Sequence, residues 1–256
     1  MAKPILKTIG LSKRYETDGN SVQALTNVNL EIERGDFVAI MGPSGSGKTT
    51  LLTLLGCLDK ATRGRVLMGT KGIDVTAMPE GSLYSIRRRH LGFIFQSFNL
   101  MPNLSALENV ELPMEGLIRS AKRRRKRARV LLRIAEIEHR EKHKPRQLSA
   151  GEQQRVAIAR ALANGPAVIL ADEPTGNLDW ETSLSIVNML GRLATEQKRT
   201  IVMVTHDPQM AVYANKKLFI RDGKLREEDP VYFEALRQAG RHLPDEPADA
   251  EPPEAD

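Results

Sequence analysis

The sequence predicts an α/β fold built on a parallel sheet covered on both faces, and three observations carry that prediction. Short unbroken apolar runs recur at Phe37–Met41, 167–171 and 201–205. Strands buried on both faces read this way, whereas a sheet with one wet face alternates. Helical patterns lie between the runs, as connections between parallel strands require. Each run also ends in residues able to do chemistry: a glycine-rich loop after the first, Asp172-Glu173 after the second, His206-Asp207 after the third. In open α/β sheets, ligands collect at the carboxyl ends of the strands.

Taken in order, residues 5–40 read as strands and turns, with Val22, Leu25, Val28, Leu30 and Ile32 as the inward apolar set before the turn signal Arg34-Gly35-Asp36. The run Phe37–Met41 leads into Gly42-Pro43-Ser44-Gly45-Ser46-Gly47-Lys48-Thr49 and then into a helix from Thr50 that ends near Gly56. Glycine alone serves ordinary tight turns, but strand, G-x-x-x-x-G-K-T and helix in that order form a phosphate-binding loop. Gly42, Ser44, Gly45 and Gly47 let backbone N–H groups converge on an anion, and the helix adds its positive end. Lys48 then reaches the β- and γ-phosphates, and the Thr49 hydroxyl can ligate Mg²⁺. Such a chain binds a nucleoside triphosphate.

Short strands are expected at 65–68 and 91–95, the second running directly into Gln96. Residues 100–165 read mostly helical. Ser105 and Glu108 have capping-box spacing. From 127 to 138, Val130, Leu131, Ile134, Ala135 and Ile137 recur at helical spacing. Pro145 interrupts the pattern, Ser149 opens another helix, and a further helix is expected around 182–193. There is no internal repeat and no sustained heptad.

Two adjacent acids at the end of a buried strand are costly unless a cation shares the site. Asp172 is placed to hold Mg²⁺, directly or through water, and Glu173 to orient or deprotonate an attacking water. His206 leaves a core strand beside the same site, where it can sense the γ-phosphate and steady the water. Ser149 and Glu152 form a second capping box, in Leu148-Ser149-Ala150-Gly151-Glu152-Gln153-Gln154-Arg155. That helix start is a second anion receptor, separate from the glycine loop. Two phosphate-binding surfaces in one chain point to nucleotide shared across a dimer.

At 256 residues, 41% hydrophobic and 27% charged, the composition is that of a globular protein with a sizeable core. No stretch nears the roughly 20 apolar residues of a membrane span. The first residues lack the apolar core of a secretory signal. The single cysteine, Cys57, rules out an internal disulfide and reads as a packing residue of an apolar helix. A cytoplasmic setting is expected. The net charge of +6 conceals an asymmetry: residues 241–256 hold six carboxylates and one arginine among four prolines and are expected to be a disordered tail. Basic residues concentrate at 87–90 and 119–129. Such runs attract nucleic acid or an anionic membrane surface, or serve as the solvated face of a helix.

The glycine loop, Gln96, 148–153, 168–173, Asn177-Leu178-Asp179 and His206 follow the order and rough spacing of the nucleotide-binding subunit of ABC transporters. The chain resembles that family over about residues 5–228. The resemblance implies a P-loop NTPase (RecA-like) parallel-sheet core with an N-terminal antiparallel β subdomain and an inserted α-helical subdomain at about 97–162, all within an ATPase domain at 1–240. It implies ATP and Mg²⁺ as cofactors and a head-to-tail pair of chains with two ATP molecules between them. Position by position, Tyr15 would stack on adenine, and Lys48, Thr49 and Thr50 would hold phosphates and Mg²⁺. Gln96 would contact Mg²⁺ and the water and signal to a membrane partner. Ser149 and Gly151 would bind the opposite γ-phosphate, Asp172 would support Mg²⁺ and Glu173 would be the base. Asp179 would belong to the loop that crosses the dimer, and His206 would be the switch histidine. Ala150 and Glu152 depart from the family's usual Leu-Ser-Gly-Gly-Gln, and Glu152 sets a carboxylate near the phosphate. The phrases around Gln96 and Asp172 are similar to the lipoprotein-releasing (LolD-like) and macrolide-export (MacB-like) branch, and less closely to the cell-division (FtsE-like) type. An integral membrane permease is therefore the implied partner, with the chain peripheral on the cytoplasmic face of the inner membrane. Soluble ABC-type ATPases of DNA repair or translation share the site, but they carry coiled-coil arms, zinc inserts or tandem domains absent from this sequence. Nucleic acid is not an expected partner.

Overall fold

The computed structural model describes residues 3–17, 20–226 and 234; the acidic tail at 241–256 lies outside them. The chain begins with β1 (Leu6–Thr17) and β2 (Asn20–Ile32), then β3 (Phe37–Met41), α1 (Lys48–Leu55), β4 (Arg63–Met68) and β5 (Ile73–Asp74). After α2 (Glu80–His90) and β6 (Leu91–Ile94) come the helices α3 (Ala106–Glu111), α4 (Ala121–Ile134) and α5 (Ala150–Ala161). The last part alternates: β7 (Val168–Asp172), α6 (Trp180–Thr195), β8 (Thr200–Thr205), α7 (Pro208–Ala211), β9 (Lys216–Arg221) and β10 (Lys224–Arg226).

Two sheets result. One is antiparallel, in the order β2-β1-β4-β5. The other runs β10-β9-β3-β8-β7-β6, parallel throughout except for the edge hairpin β9–β10. Alternate residues of its central strands feed two cores. Val38, Ile40, Val168, Leu170, Val202 and Val204 face α1 and the antiparallel sheet. Ala39, Met41, Ile169, Ala171, Ile201 and Met203 face the helices α3 to α6. That division is the reason the strands read as continuous apolar runs. The register pairs Met41 with Thr205, Asp172 with Val204, and Ile94 with Ala171. The four strand ends therefore share one edge, and the chemistry-bearing residues follow them there.

Three expectations need correction. Val22 is not inward: it is 58% exposed, while Leu25, Val28, Leu30 and Ile32 are buried. Leu25 and Val28 are an odd number of residues apart, so both face the core only because the strand breaks register between them, with Asn27 at φ +50. A second break follows between Leu25 and Gln23, and beyond both breaks Val22 and Gln23 are exposed together. Helix α4 ends at Ile134, not at Glu138; Ala135 caps it, and Glu136 at φ +58 reverses the chain, so Ile137 enters the core from the turn. Cys57 lies beyond the helix cap Gly56, at φ +56, not within the helix. It is buried, and that burial pushes its thiol pKa up to about 11. Helix α2 and strands β9 and β10 carry no apolar period strong enough to read from sequence; α2 buries only Leu83.

Candidate nucleotide site

The glycine loop wraps the start of α1. Gly47 caps that helix at φ +107, and a Cβ there would sit 2.5 Å from the Ala24 carbonyl oxygen, so only glycine fits. The Lys48 ammonium is buried and donates to the carbonyls of Gly42 and Pro43, both at 2.9 Å. Burial lowers its pKa, partly offset by the charges of Glu173 and Asp172. Thr49 Oγ1 donates to Asp172 Oδ1 at 3.0 Å across the α1–β7 gap. Desolvation raises the Asp172 pKa against the Thr49 bond, with Glu173 adding to the rise. A half-buried carboxylate held above its ordinary pKa is one that a cation would stabilise.

Beyond Asp172 the chain turns sharply. Glu173 takes φ +43, unfavourable for a residue with a side chain, and its N–H is fixed by the Val204 carbonyl at 3.0 Å. His206 Nδ1 lies 3.0 Å from Glu173 Oε2. The Gln96 carbonyl accepts from Asn177 Nδ2 at 3.0 Å. A cleft of about 630 Å³ brings together Ser44, Gly45, Gly47 and Lys48 with Thr49 and Thr50, and closes on Gln96, Asp172 and Glu173. Gly42 stands at the loop's start, where its carbonyl takes the Lys48 bond.

The sequence reading missed one wall of this cleft. Val22, Gln23 and Ala24 line it, as do Asp222 and Gly223 from the β9–β10 turn. The Gly223 N–H donates to the Ser46 carbonyl at 3.0 Å, and Thr26 N–H to the Gly223 carbonyl at 2.8 Å. The Asp-Gly pair was the available signal, since it marks a tight turn. Tyr15 is not part of the cleft lining. It pairs with Val22 across β1–β2, its hydroxyl donates to Asp59 Oδ2 at 3.0 Å, and Lys13 Nζ lies 4.8 Å from its ring centre.

Ser149, Gly151 and Asp179 stand apart from the cleft. No residue of α5 lines it. Ser149 caps α5, its hydroxyl accepting from Glu152 N–H at 3.2 Å while Glu152 Oε2 accepts from Ser149 N–H at 2.8 Å. Ala150 opens the helix and has no positive φ, so its methyl strains nothing. Glu152 Oε1 accepts from Arg140 Nε at 2.8 Å, so its charge is partnered. The Ser149 N–H and then Arg140 hold its pKa below the usual carboxylate range. A Cβ on Gly151 would meet Thr182 Cγ2 at 2.5 Å. Thr182 in turn donates twice to Asp179, the cap of α6. The starts of α5 and α6 are therefore packed together.

The family model for ABC transporters matches residues 25–176, more than half of the chain and inclusive of the glycine loop, Gln96, Ser149 and Glu173. The chain belongs to the ABC transporter family. It is an ATP-binding cassette with the ATP-hydrolysing fold of that family. An uncharacterized ABC transporter ATP-binding protein of Methanocaldococcus jannaschii, MJ0796, is 48% identical over 231 residues, covering 89% of this chain and 97% of that one. The macrolide export ATP-binding/permease protein MacB of Bradyrhizobium diazoefficiens is also 48% identical, over 223 residues; these are 87% of this chain but only 34% of MacB. Among solved structures, a dimeric post-hydrolysis state of the MJ0796 cassette bound to ADP and Pi superimposes with a TM-score of 0.81 at 47% identity, covering 88% of this chain and 97% of that one. Among the described residues of this cassette, no helix is long and apolar enough to cross a membrane.

Proposed function

We propose that two copies of this chain close head to tail on two ATP molecules and thereby drive a membrane permease of the lipoprotein-release or macrolide-export type. The observation that carries the reading is the separation of the two anion receptors. Lys48 and Asp172 lie in one cleft, while the Ser149–Gly151 helix start is outside it, so a single chain cannot close both on one triphosphate. A second copy can. The MJ0796 cassette is dimeric with ADP and Pi, and MacB carries a permease, which supports both halves of the proposal. Exposed Trp180, beside Asp179 and the hollow shared with His206, offers apolar area to the second copy.

Within each composite site the residues divide the work. Gly42, Ser44, Gly45, Gly47, Lys48 and Thr50 hold the phosphates of ATP, and Tyr15, outside the cleft lining but paired with Val22 of its wall, would stack on the adenine. Thr49, Asp172 and Gln96 offer hard oxygen donors to Mg²⁺, and the raised pKa of Asp172 fits a carboxylate awaiting a cation. Bound there, Mg²⁺ would neutralise the charge building on the transferring phosphoryl group. Glu173 takes the proton of the attacking water, and His206 holds the Glu173 carboxylate toward it. Ser149 and Gly151 of the second copy close on the γ-phosphate, with Asp179 in the loop crossing between copies.

The permease would dock in a groove of about 580 Å³ beside β6, with exposed Leu58, Tyr84 and Leu112 on its walls. The cassette then sits on the cytoplasmic face of the membrane, as one ATPase domain over residues 1–240. The test is Glu173→Gln. The variant should bind ATP with unchanged affinity, lose steady hydrolysis and accumulate as a dimer in sedimentation. A monomeric variant with normal turnover would remove Glu173 from the base role. Co-purification of a permease with a large periplasmic domain should identify the branch; a different class of membrane partner would overturn it.

A further inference from the structure

The five residues 95–99 form a wall between two hollows. Gln96 lines the nucleotide cleft, whereas Phe95 and Asn99 line the groove on the other side. The wall is held in an unfavourable shape. Phe98 and Asn99 take φ +58 and +49 in succession. Asparagine tolerates that region, but a bulky phenylalanine does not. Short-range bonds help: Phe98 N–H donates to the Phe95 carbonyl at 3.1 Å, and Asn99 N–H to the Ser97 carbonyl at 2.6 Å.

One distant side chain completes the turn. Arg160, near the end of α5, donates through one guanidinium nitrogen to the Phe98 carbonyl at 2.7 Å and through the other to the Asn99 carbonyl. A planar fork is suited to spanning two successive acceptors, as a lysine is not. Among the described residues no carboxylate pairs with Arg160, and it also lines the groove. On the opposite side, Asn177 grips the Gln96 carbonyl, and Gly176 lies so close beneath the Gln96 amide that a Cβ would come within 2.7 Å of Nε2.

We propose that Arg160 is a positioning residue for Gln96: it holds the left-handed turn at Phe98–Asn99 and so fixes Gln96 in the cleft. The inference rests on the reading of Gln96 given under Proposed function.

The test is a double-mutant cycle on the full chain, with Mg²⁺·ATP as substrate. Arg160→Met should lower kcat about tenfold while ATP affinity, read with a fluorescent nucleotide, changes less than about twofold. In a Gln96→Ala background, Arg160→Met should then cost nothing further. Equal losses in both backgrounds, accompanied by a lower Tm, would reduce Arg160 to a structural residue and overturn the proposal alone. Should Gln96→Ala leave kcat unchanged, the reading of Gln96 fails first, and the proposal with it. If Arg160→Met does not fold, Arg160→Lys replaces it; adding Phe98→Gly should then recover kcat, because glycine takes positive φ without support. No recovery in that pair would also overturn the proposal.

Discussion

At the scale of single residues, Glu152 sets a carboxylate in the Leu148–Glu152 segment where the family resemblance implies glutamine. From sequence it stands next to a phosphate-binding helix start, where a negative charge repels the ligand. The structure gives that charge two partners, the Ser149 N–H and Arg140. Arg140→Ala should therefore weaken ATP-dependent dimerisation several-fold, consistent with roughly 1 kcal/mol for a partly exposed pair. Glu152→Gln added to it should restore the dimer, since no charge is then left to compensate. Sedimentation against ATP concentration in the Glu173→Gln background measures both. An Arg140→Ala variant that dimerises normally would show that Glu152 never faces the nucleotide. Arg140 and Glu152 are 12 residues apart on different elements, so no local pattern announced the pair.

Among the elements, α4 shows how far a charge run can mislead. Residues 119–129 read as one basic strip, yet most of its arginines are committed internally. Arg124 donates to the carbonyls of Ile118 and Arg119, Arg127 to that of Ala163, while Arg125 and Arg129 pair with Glu111 and Glu141. Among the described residues, Lys122, Arg123 and Lys126 remain exposed on α4 without an ion pair. If α4 reads an anionic membrane surface, these three carry the effect. Replacing all three with glutamine should weaken binding to phosphatidylserine vesicles, read by co-sedimentation, by about a hundredfold, at about 1 kcal/mol per charge. Unchanged sedimentation would make the strip a solvated helix face. The ends of α4 were equally hard to read, because Glu136 stops the helix through a positive φ while Ile137 keeps the apolar spacing going.

For the whole molecule the question is whether the two anion receptors meet across a dimer. Lys48→Ala and Ser149→Arg should each abolish hydrolysis alone. Mixed in equal amounts, they should recover part of it, because a head-to-tail heterodimer keeps one site with both Lys48 and Ser149 intact. Two inactive variants that stay inactive on mixing, while still forming heterodimers, would exclude the shared-site arrangement.

The sequence by itself determined the sheet core, the glycine loop, the two strand ends with Asp172-Glu173 and His206, and the caps at Ser105 and Ser149. Each of these is written in residues close together in the chain, where period and spacing are decisive. The family resemblance followed from their order. Only the tertiary structure decided which strand ends share an edge, since register is a property of pairing between distant segments. It also broke the register of β2 so that Val22 is left exposed, set the β9–β10 turn against the glycine loop, partnered Glu152 with Arg140 and sent Arg160 to the wall behind Gln96. Those contacts join residues that no local pattern relates, so they are fixed by packing geometry and not by any run of sequence.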